Sequence, residues 1–301
     1  GISVNLPART AAAVVAFKDY ANTFDTGNLT LVQNGSDKIG GSTNNAIIST
    51  EGIALTLIFI DSTKGWLVTD DGLQSVALTD PYIEATGGTE TTSGNDKIHT
   101  FTGPGTFTVS KTASAAADNV VSYVVVAGGG GTGACKGGGA GAGGYREVVS
   151  PSSPYTGSPL NGYPTPANRI TVTATAFPIT VGAGGTGATT PGTATSGSDS
   201  VFSTITSAGG GRGSDGSPGQ TPALDGGSGG GGSRYLPGAG NGNTPSVSPP
   251  QGNNGGAGSA PGCYEGAGGG GAGAVGGVAG TTCAGDGGAG TTSSINATPT
   301  A

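Results

Sequence analysis

Residues Val124–Arg146 read VVVAGGGGTGACKGGGAGAGGYR, and the use made of these glycines decides the fold of most of the chain. An apolar run feeds into glycines, Gly128, Gly130 and Gly133 fit G-x-G-x-x-G, and Lys136 follows, which is the outline of a phosphate-binding loop. The context speaks against that reading. A dinucleotide site needs a helix that opens at the last glycine, and GACKGGGAGAGG cannot open one. Nor does Lys136 directly follow the glycine of a G-x-x-x-x-G-K-[ST] loop, because Cys135 intervenes and Gly137 comes next. About a third of residues 128–290 are glycine, so roughly five such matches arise there by chance. No nucleotide and no other cofactor is expected. The glycines are read as serving backbone packing at the first junction between a strand and a glycine run.

Working outward, the chain of 301 residues holds 65 glycines and 18 prolines, a bias that belongs to low-complexity or fibrous material. The bias is lopsided, since only 13 of the glycines precede Ala127. Two regimes share one chain. The net charge is −7 and the few Lys and Arg residues are scattered, whereas nucleic-acid affinity rests on clustered cations. A nucleic-acid partner is therefore not expected. The longest apolar run, Ile53–Ile60, is far short of the roughly 20 residues of a membrane span. Membrane insertion is not expected, and the run reads as a strand buried on both faces. Cys135, Cys263 and Cys283 leave an odd thiol, with a Cys263–Cys283 disulfide one arrangement open to them. The lone His99 stands near no other ligand-type cluster, so no metal site is assigned.

Residues 1–80 read as a small β module. ISVNLPA, AVVAFKDY, NLTLVQNG, NAIISTEG, IALTLIFID and GWLVTDDG are short, rich in β-branched and aromatic residues, and punctuated by Gly/Asn/Asp turns. Trp66, Leu57 and Phe59 are the candidates for a core or trimer contact. Sugar stacking by Trp66 is the less favoured alternative. Asp70 and Asp71 point to opposite faces if they continue a strand, and a turn before Gly72 explains them without chemistry. So thin a core is marginal alone, and oligomerisation, which buries a sheet face against copies of itself, is the expected remedy.

Residues 81–90 read as a linker and 91–301 as a glycine-rich module, with a β lead-in over 91–126 and glycine-rich repeats with Pro-rich loops over 127–301. The theme is a β segment followed by a glycine run: VVSYVVVA into GGGGTG, RITVTATAFPITV into GAGGTG, SVFSTITSA into GGGRG. Flexible linkers are the default for Gly/Ser composition. A close-packed alternative fits better, in which runs adopt polyproline-II geometry and, having no internal hydrogen bonds, pair their amides with neighbouring runs. Apolar segments between runs, and alanines within them, suit a lattice better than a linker. The fold class is accordingly all-β, with polyglycine runs added to short strands.

Several phrases resemble a known family. SVNLPARTAAAVVAFKDYANTFDTGNLTLVQNGSDKIGGS followed by GWLV resembles a β module of bacteriophage tail fibres. DKIHTFTGPGTFTV, YVVVAGGGGTG, GGAGGYRE, ITVGAGGTG, SVFSTITSAGGG and NTPSVSPPQGNNGG are similar, in that order, to glycine-rich fibre domains of phages. The resemblance implies an elongated, trimeric virion appendage concerned with host attachment, with other virion proteins and a host surface glycan or outer-membrane protein as partners. It also implies a further glycine run after the segment near SSIN. A structural spacer or a capsid or neck decoration fibre is the alternative. A fibre-borne polysaccharide-degrading enzyme is less favoured, because the scattered acids of the second half form no recognisable pair, and no catalytic residue is assigned. Receptor-contact candidates are the tyrosines of the Pro-rich loops, Tyr155 and Tyr163 in one and Tyr235 in the other, which offer flat faces to sugar rings.

Overall fold

The computed structural model describes residues 1–8, 10–70, 82–153, 155–189, 193–217, 221–259, 265–280 and 284–295. Two units separate, Gly1–Asp80 and Pro81–Ala301. The protein is all-β. Apart from two short 3-10 turns, the described residues contain no helix, and none is long and apolar enough to cross a membrane.

In the first unit the six segments expected as strands form β1 (Ile2–Asn5), β2 (Val14–Lys18), β3 (Leu29–Val32), β4 (Ala46–Ile48), β5 (Ala54–Asp61) and β6 (Gly65–Asp70). They assemble into two three-stranded sheets, β1-β3-β4 and β2-β5-β6, with β1 and β3 parallel. Leu6 and the inward side chains of β3, β5 and β6 form the core of Leu6, Leu29, Leu31, Leu55, Leu57, Phe59 and Trp66, against which Val4 of β1, Val15 and Phe17 of β2 and Ala46 and Ile48 of β4 pack. Trp66 is wholly buried and meets Phe59 edge-on at 5.6 Å between ring centroids. Leu57, Phe59 and Trp66 are thus consumed inside a single chain. Gly65 is required where it is: φ is +72°, and a Cβ there would run into the Lys38 carbonyl that accepts from Trp66 N–H. Asp19 fastens the loop after β2, accepting from the N–H groups of Thr23, Phe24 and Gly52 at 3.0 Å each. Burial would raise its pKa, but these donors outweigh it and hold the carboxyl below the usual aspartate value.

One expectation needs correction. Strand β5 is not buried on both faces: Leu55, Leu57 and Phe59 face the core, Thr56 and Ile58 are half-buried, and Ile60 is exposed. The reason is that the β2-β5-β6 sheet meets the core on one side only. Its other side presents Val14, opposite Ile58, which in turn is opposite Leu67.

The second unit opens with β7 (Glu84–Thr86), β8 (Thr89–Ser93), β9 (Asp96–Thr100) and β10 (Gly105–Lys111). Here too a correction is due, because residues 81–90 are not a plain linker. Strand β7 adds to the edge of β10 with Ala85 buried, and Thr89 already pairs with Thr100. Then follow β11 (Val120–Val121), β12 (Tyr123–Val126), β13 (Tyr145–Val148), β14 (Ile170–Thr171), β15 (Ala176–Thr180), β16 (Ser200–Phe202) and β17 (Ile205–Ser207). A five-stranded sheet runs β17-β16-β15-β10-β7, and the small β11-β14 and β12-β13 pairs lie beside it. Together they enclose a core of Phe107, Val109, Tyr123, Val125, Val148, Ile170, Val172, Phe202 and Ile205. Phe202 contacts Phe107 and Tyr123 edge-on at centroid distances of 5.9 and 6.0 Å.

The opening stretch shows how strand becomes lattice. Strands β12 and β13 pair antiparallel up to Val126 opposite Tyr145. The two chains then stay side by side, but the hydrogen bonds come every third residue: Ala127 N–H to Gly144, Gly130 to Gly141 and Gly133 to Gly138. That is the repeat of polyproline II. Intervening amides point to other neighbours, with Gly128 and Gly131 donating to Ser198 and Thr195. Residues 137–144 do the same, through Gly138 to Ser214 and Gly141 to Gly211 on one side and Gly139 to Ala267 and Ala142 to Gly270 on another. The steps of three recur in the later runs, from Gly229 to Asn253 and Gly232 to Gly256, and from Gly285 to Gly266 and Gly288 to Gly269. Each run is therefore tied to several others. Beyond Gly94 no described glycine has φ in the left-handed region. The glycines serve the lattice through their missing Cβ, not through unusual dihedrals.

Tyr123 joins the sheet core to the loop before β14. Its buried hydroxyl donates to the Asn168 carbonyl at 2.6 Å. Burial pushes its pKa from 10.0 up to about 12, only partly opposed by the Arg146 charge. Folding thus favours the neutral phenol. This contribution is complete below pH 10 and is lost as pH rises towards 12, roughly 2–3 kcal/mol in all at ~1.4 kcal/mol per pH unit. Thermal melts between pH 9 and 12 are expected to show the second unit losing stability over this window, with a shallower loss in Tyr123→Phe. An equal slope in the variant would refute the assignment.

Candidate functional site

The runs 127–133, 208–216 and 227–232 are mutually parallel, as the bonds from Gly210 to Gly128, Gly213 to Gly131, Gly211 to Ser228 and Ser214 to Gly231 require. Their C-terminal ends therefore emerge on one side of the lattice, and the turns that follow meet there. Asp215 organises them. Its buried carboxylate accepts from Ala134 N–H at 3.0 Å and from Thr221 Oγ1 at 2.7 Å, while its carbonyl accepts from Ser233 Oγ at 2.7 Å. Gly216 N–H closes the set on the Ala134 carbonyl. Burial would raise the Asp215 pKa, but Thr221, the Ala134 and Thr221 amides and the Arg212 charge prevail and keep it below the usual value.

On this base stands a cavity of about 240 Å³ lined by Cys135, Lys136, Gly216, Arg234 and Tyr235. Cys135 and Lys136 have φ of +50° and +63°, the left-handed region that residues with a Cβ enter only at a cost. The Arg234 guanidinium lies 4.9 Å from the Tyr235 ring centroid, and Tyr235 remains 47% exposed.

The other two candidate tyrosines are placed differently. Tyr163 packs against the sheet core with the Arg169 guanidinium 4.3 Å from its ring centroid, and Arg169 Nε donates to its carbonyl. Tyr155 is half-buried with an enclosed hydroxyl, and burial beside Glu147 raises its pKa. Neither joins Tyr235 at the cavity. The Pro-rich loop that carries them is instead sewn into the fold by Glu147, whose Oε2 accepts from Ser158 N–H at 2.7 Å and whose Oε1 accepts from Ser293 Oγ at 3.0 Å.

Glu147 and Asp215, both almost fully buried, were not separable in the sequence from solvated acids; the one hint was Glu147's place between Tyr145 and Val148 in a short strand. His99 Nδ1 contacts the Gly87 carbonyl at 2.8 Å and its ring stands edge-on to Phe107. Among the described residues no three His, Cys, Asp or Glu side chains gather as metal ligands would. Cys263 and Cys283 lie outside the described residues, as does Asp71. The three glycines of the G-x-G-x-x-G match are occupied by protein: a Cβ on Gly128, Gly130 or Gly133 would collide with the carbonyls of Ala183, Gly211 and Ser214.

Compared with known proteins, residues 99–299 match a family model described as a glycine-rich domain. No curated protein matches the chain.

Proposed function

From a chain that belongs to the glycine-rich domain family, we propose a virion structural protein, a trimeric tail-fibre-like appendage that attaches the particle to a host cell surface. The observation that carries this reading is the division of labour in the second unit. A hydrogen-bonded lattice fixes several turns side by side, and those turns present Tyr235 and a cavity to solvent. Rigid scaffolds that hold exposed loops are the usual setting of recognition surfaces. The tail-fibre resemblance of the sequence supports the location on the particle, with other virion proteins as neighbours and a host glycan or outer-membrane protein as receptor. Trimerisation is supported by the apolar outer face of the β2-β5-β6 sheet, where Val14 is 58% and Ile60 48% exposed. Three copies would sum weak contacts into firm adhesion.

The acids give an enzyme little support. Glu147 and Asp215 are each held by donors from the protein itself, which leaves neither poised towards a substrate. The test is adhesion. The purified chain is expected to sediment as a trimer, to bind cells of at least one strain in a bacterial panel and to compete there with particle adsorption. A trimer that binds no strain would favour the spacer reading, and a folded monomer would overturn the assembly.

A further inference from the structure

The Glu147 carboxylate is 2% exposed and makes no ion pair among the described residues. Its neighbour Arg146 does not neutralise it. Adjacent strand residues point to opposite faces, and the Arg146 guanidinium donates to the Asn168 side chain at 2.7 Å. The two bonds that Glu147 accepts, from Ser158 N–H and Ser293 Oγ, come from neutral donors and leave about half of its lone-pair sites open. A buried charge so placed is costly unless an opposite charge meets it. Tyr145 lies two residues away on the same face of β13 and is 7% exposed. Its hydroxyl is enclosed close to Ser158, Ser293 and Glu147, yet meets none of them in hydrogen-bonding geometry. The Tyr155 hydroxyl, from the Pro-rich loop, is enclosed in the same way, and the charges of Glu147 and Asp96 both act on it. Side-chain oxygens of Glu147, Tyr145, Tyr155, Ser158 and Ser293 thus gather around one negative centre, and the two phenols have no hydrogen-bond partner.

We propose that Glu147, Tyr145 and Tyr155, with Ser158 and Ser293, form a site for one hard cation of the size of sodium or calcium. The donor chemistry selects it. Every available atom is a carboxylate, phenol or alcohol oxygen, the ligand type of hard cations, whereas zinc and copper favour nitrogen and sulfur. A cation there cancels the Glu147 charge and gives both tyrosine hydroxyls an electrostatic partner. With a single carboxylate the binding is weak, in the ~0.1–1 mM range of calcium sites on extracellular modules or above it. The site also has a mechanical consequence. Its ligands come from β13, from the Pro-rich loop and from Ser293, which is 146 residues from Glu147 in sequence. Ser294 Oγ adds a bond to the Thr156 carbonyl at 3.4 Å. The bound ion therefore clamps the loop and the C-terminal segment onto the strand. The inference stands independently of host attachment and of trimer assembly.

Its test uses the full chain after chelation, melted in calcium chloride, sodium chloride or tetramethylammonium chloride at matched ionic strength. Calcium or sodium is expected to raise the melting temperature of the second unit by roughly 3–6 °C at ~10 times its Kd. Tetramethylammonium, too large for the site, should not. A rise with calcium alone identifies a divalent site and a rise with sodium alone a monovalent one, and either supports the proposal. Tyr145→Phe keeps the ring and removes the oxygen. Without the cation it should melt no lower than the native chain, because an unsatisfied buried hydroxyl is lost. With the cation, its rise should be at most about half the native one. Glu147→Gln should abolish the rise, and if that variant fails to fold, Tyr145→Phe decides alone. An equal effect of all three salts, an undiminished rise in Tyr145→Phe, or a Tyr145→Phe chain that melts well below the native one without cation would overturn the proposal. Each of those results would leave Tyr145 a core residue beside bound water.

Discussion

Gly138→Ala and Gly269→Ala are each expected to lower the melting temperature of the second unit by roughly 6–12 °C or more, whereas Gly287→Ala leaves it unchanged or slightly raised. The difference lies in what a single methyl group would meet. At Gly138 it would press on the Gly231 carbonyl, and at Gly269 on that of Ala140, both far closer than real Cβ contacts come. The atoms in the way are backbone, so no rotamer change relieves the clash. The run must move, and moving it lengthens the bonds from Gly138 to Ser214, Gly133 to Gly138 and Gly231 to Gly139 together. Overpacking of a close-packed interior costs about 1–3 kcal/mol even where side chains can adjust. Here at least ~3 kcal/mol is expected, at ~2–4 °C per kcal/mol for a unit of this size. At Gly287 a Cβ has nothing within 4 Å. Alanine there only narrows the unfolded ensemble, a stabilising change of ~0.4–1 kcal/mol. Differential scanning calorimetry of the three variants decides the matter, and equal melting temperatures would mean that the runs are not packed on one another.

Such a lattice is held together differently from a hydrophobic sheet core. Glycine loses more backbone entropy on ordering than any other residue and contributes no side chain to a core. The compensation available is the pairing of interior amides with carbonyls of neighbouring runs, with Cα–H···O contacts between closely approaching chains adding smaller terms. Alanine is admitted at selected slots, as at Ala267, which is 2% exposed. The runs are therefore specific sequences and not interchangeable filler.

How much of this could be read from the residues follows from the same physics. The strands were legible because apolar and β-branched residues alternate and turns interrupt them; Val14–Lys18 is a strand despite the alanines before it. That the glycine runs are ordered was legible from the alanines inside them and the apolar segments between them. Their mutual arrangement was not, because one run looks chemically like another and only the long-range pairing, such as Gly139 with Ala267, tells them apart. For the same reason the sequence hid the site. Lys136, Arg234 and Tyr235 converge through lattice neighbours, and nothing local to any of them announces it. Tyr155 and Tyr163, like Tyr235, belong to a Pro-rich loop, yet Glu147 and Arg169 draw theirs inward. Strand β7 has no signature in the sequence because Glu84–Thr86 is three residues long and pairs with a partner more than 20 residues away.

Amide hydrogen exchange on the second unit, resolved by glycine, tests the lattice most directly. The N–H groups of Gly130, Gly138, Gly141, Gly211 and Gly231, each donating to a carbonyl on a neighbouring run, are expected to exchange on the order of 10³-fold or more slowly than in an unstructured chain. Protection should weaken together in Gly138→Ala. Exchange of these five amides at unstructured-chain rates, while the amides of β12 and β13 remain protected, would show the glycine runs to be flexible linkers and would contradict the account.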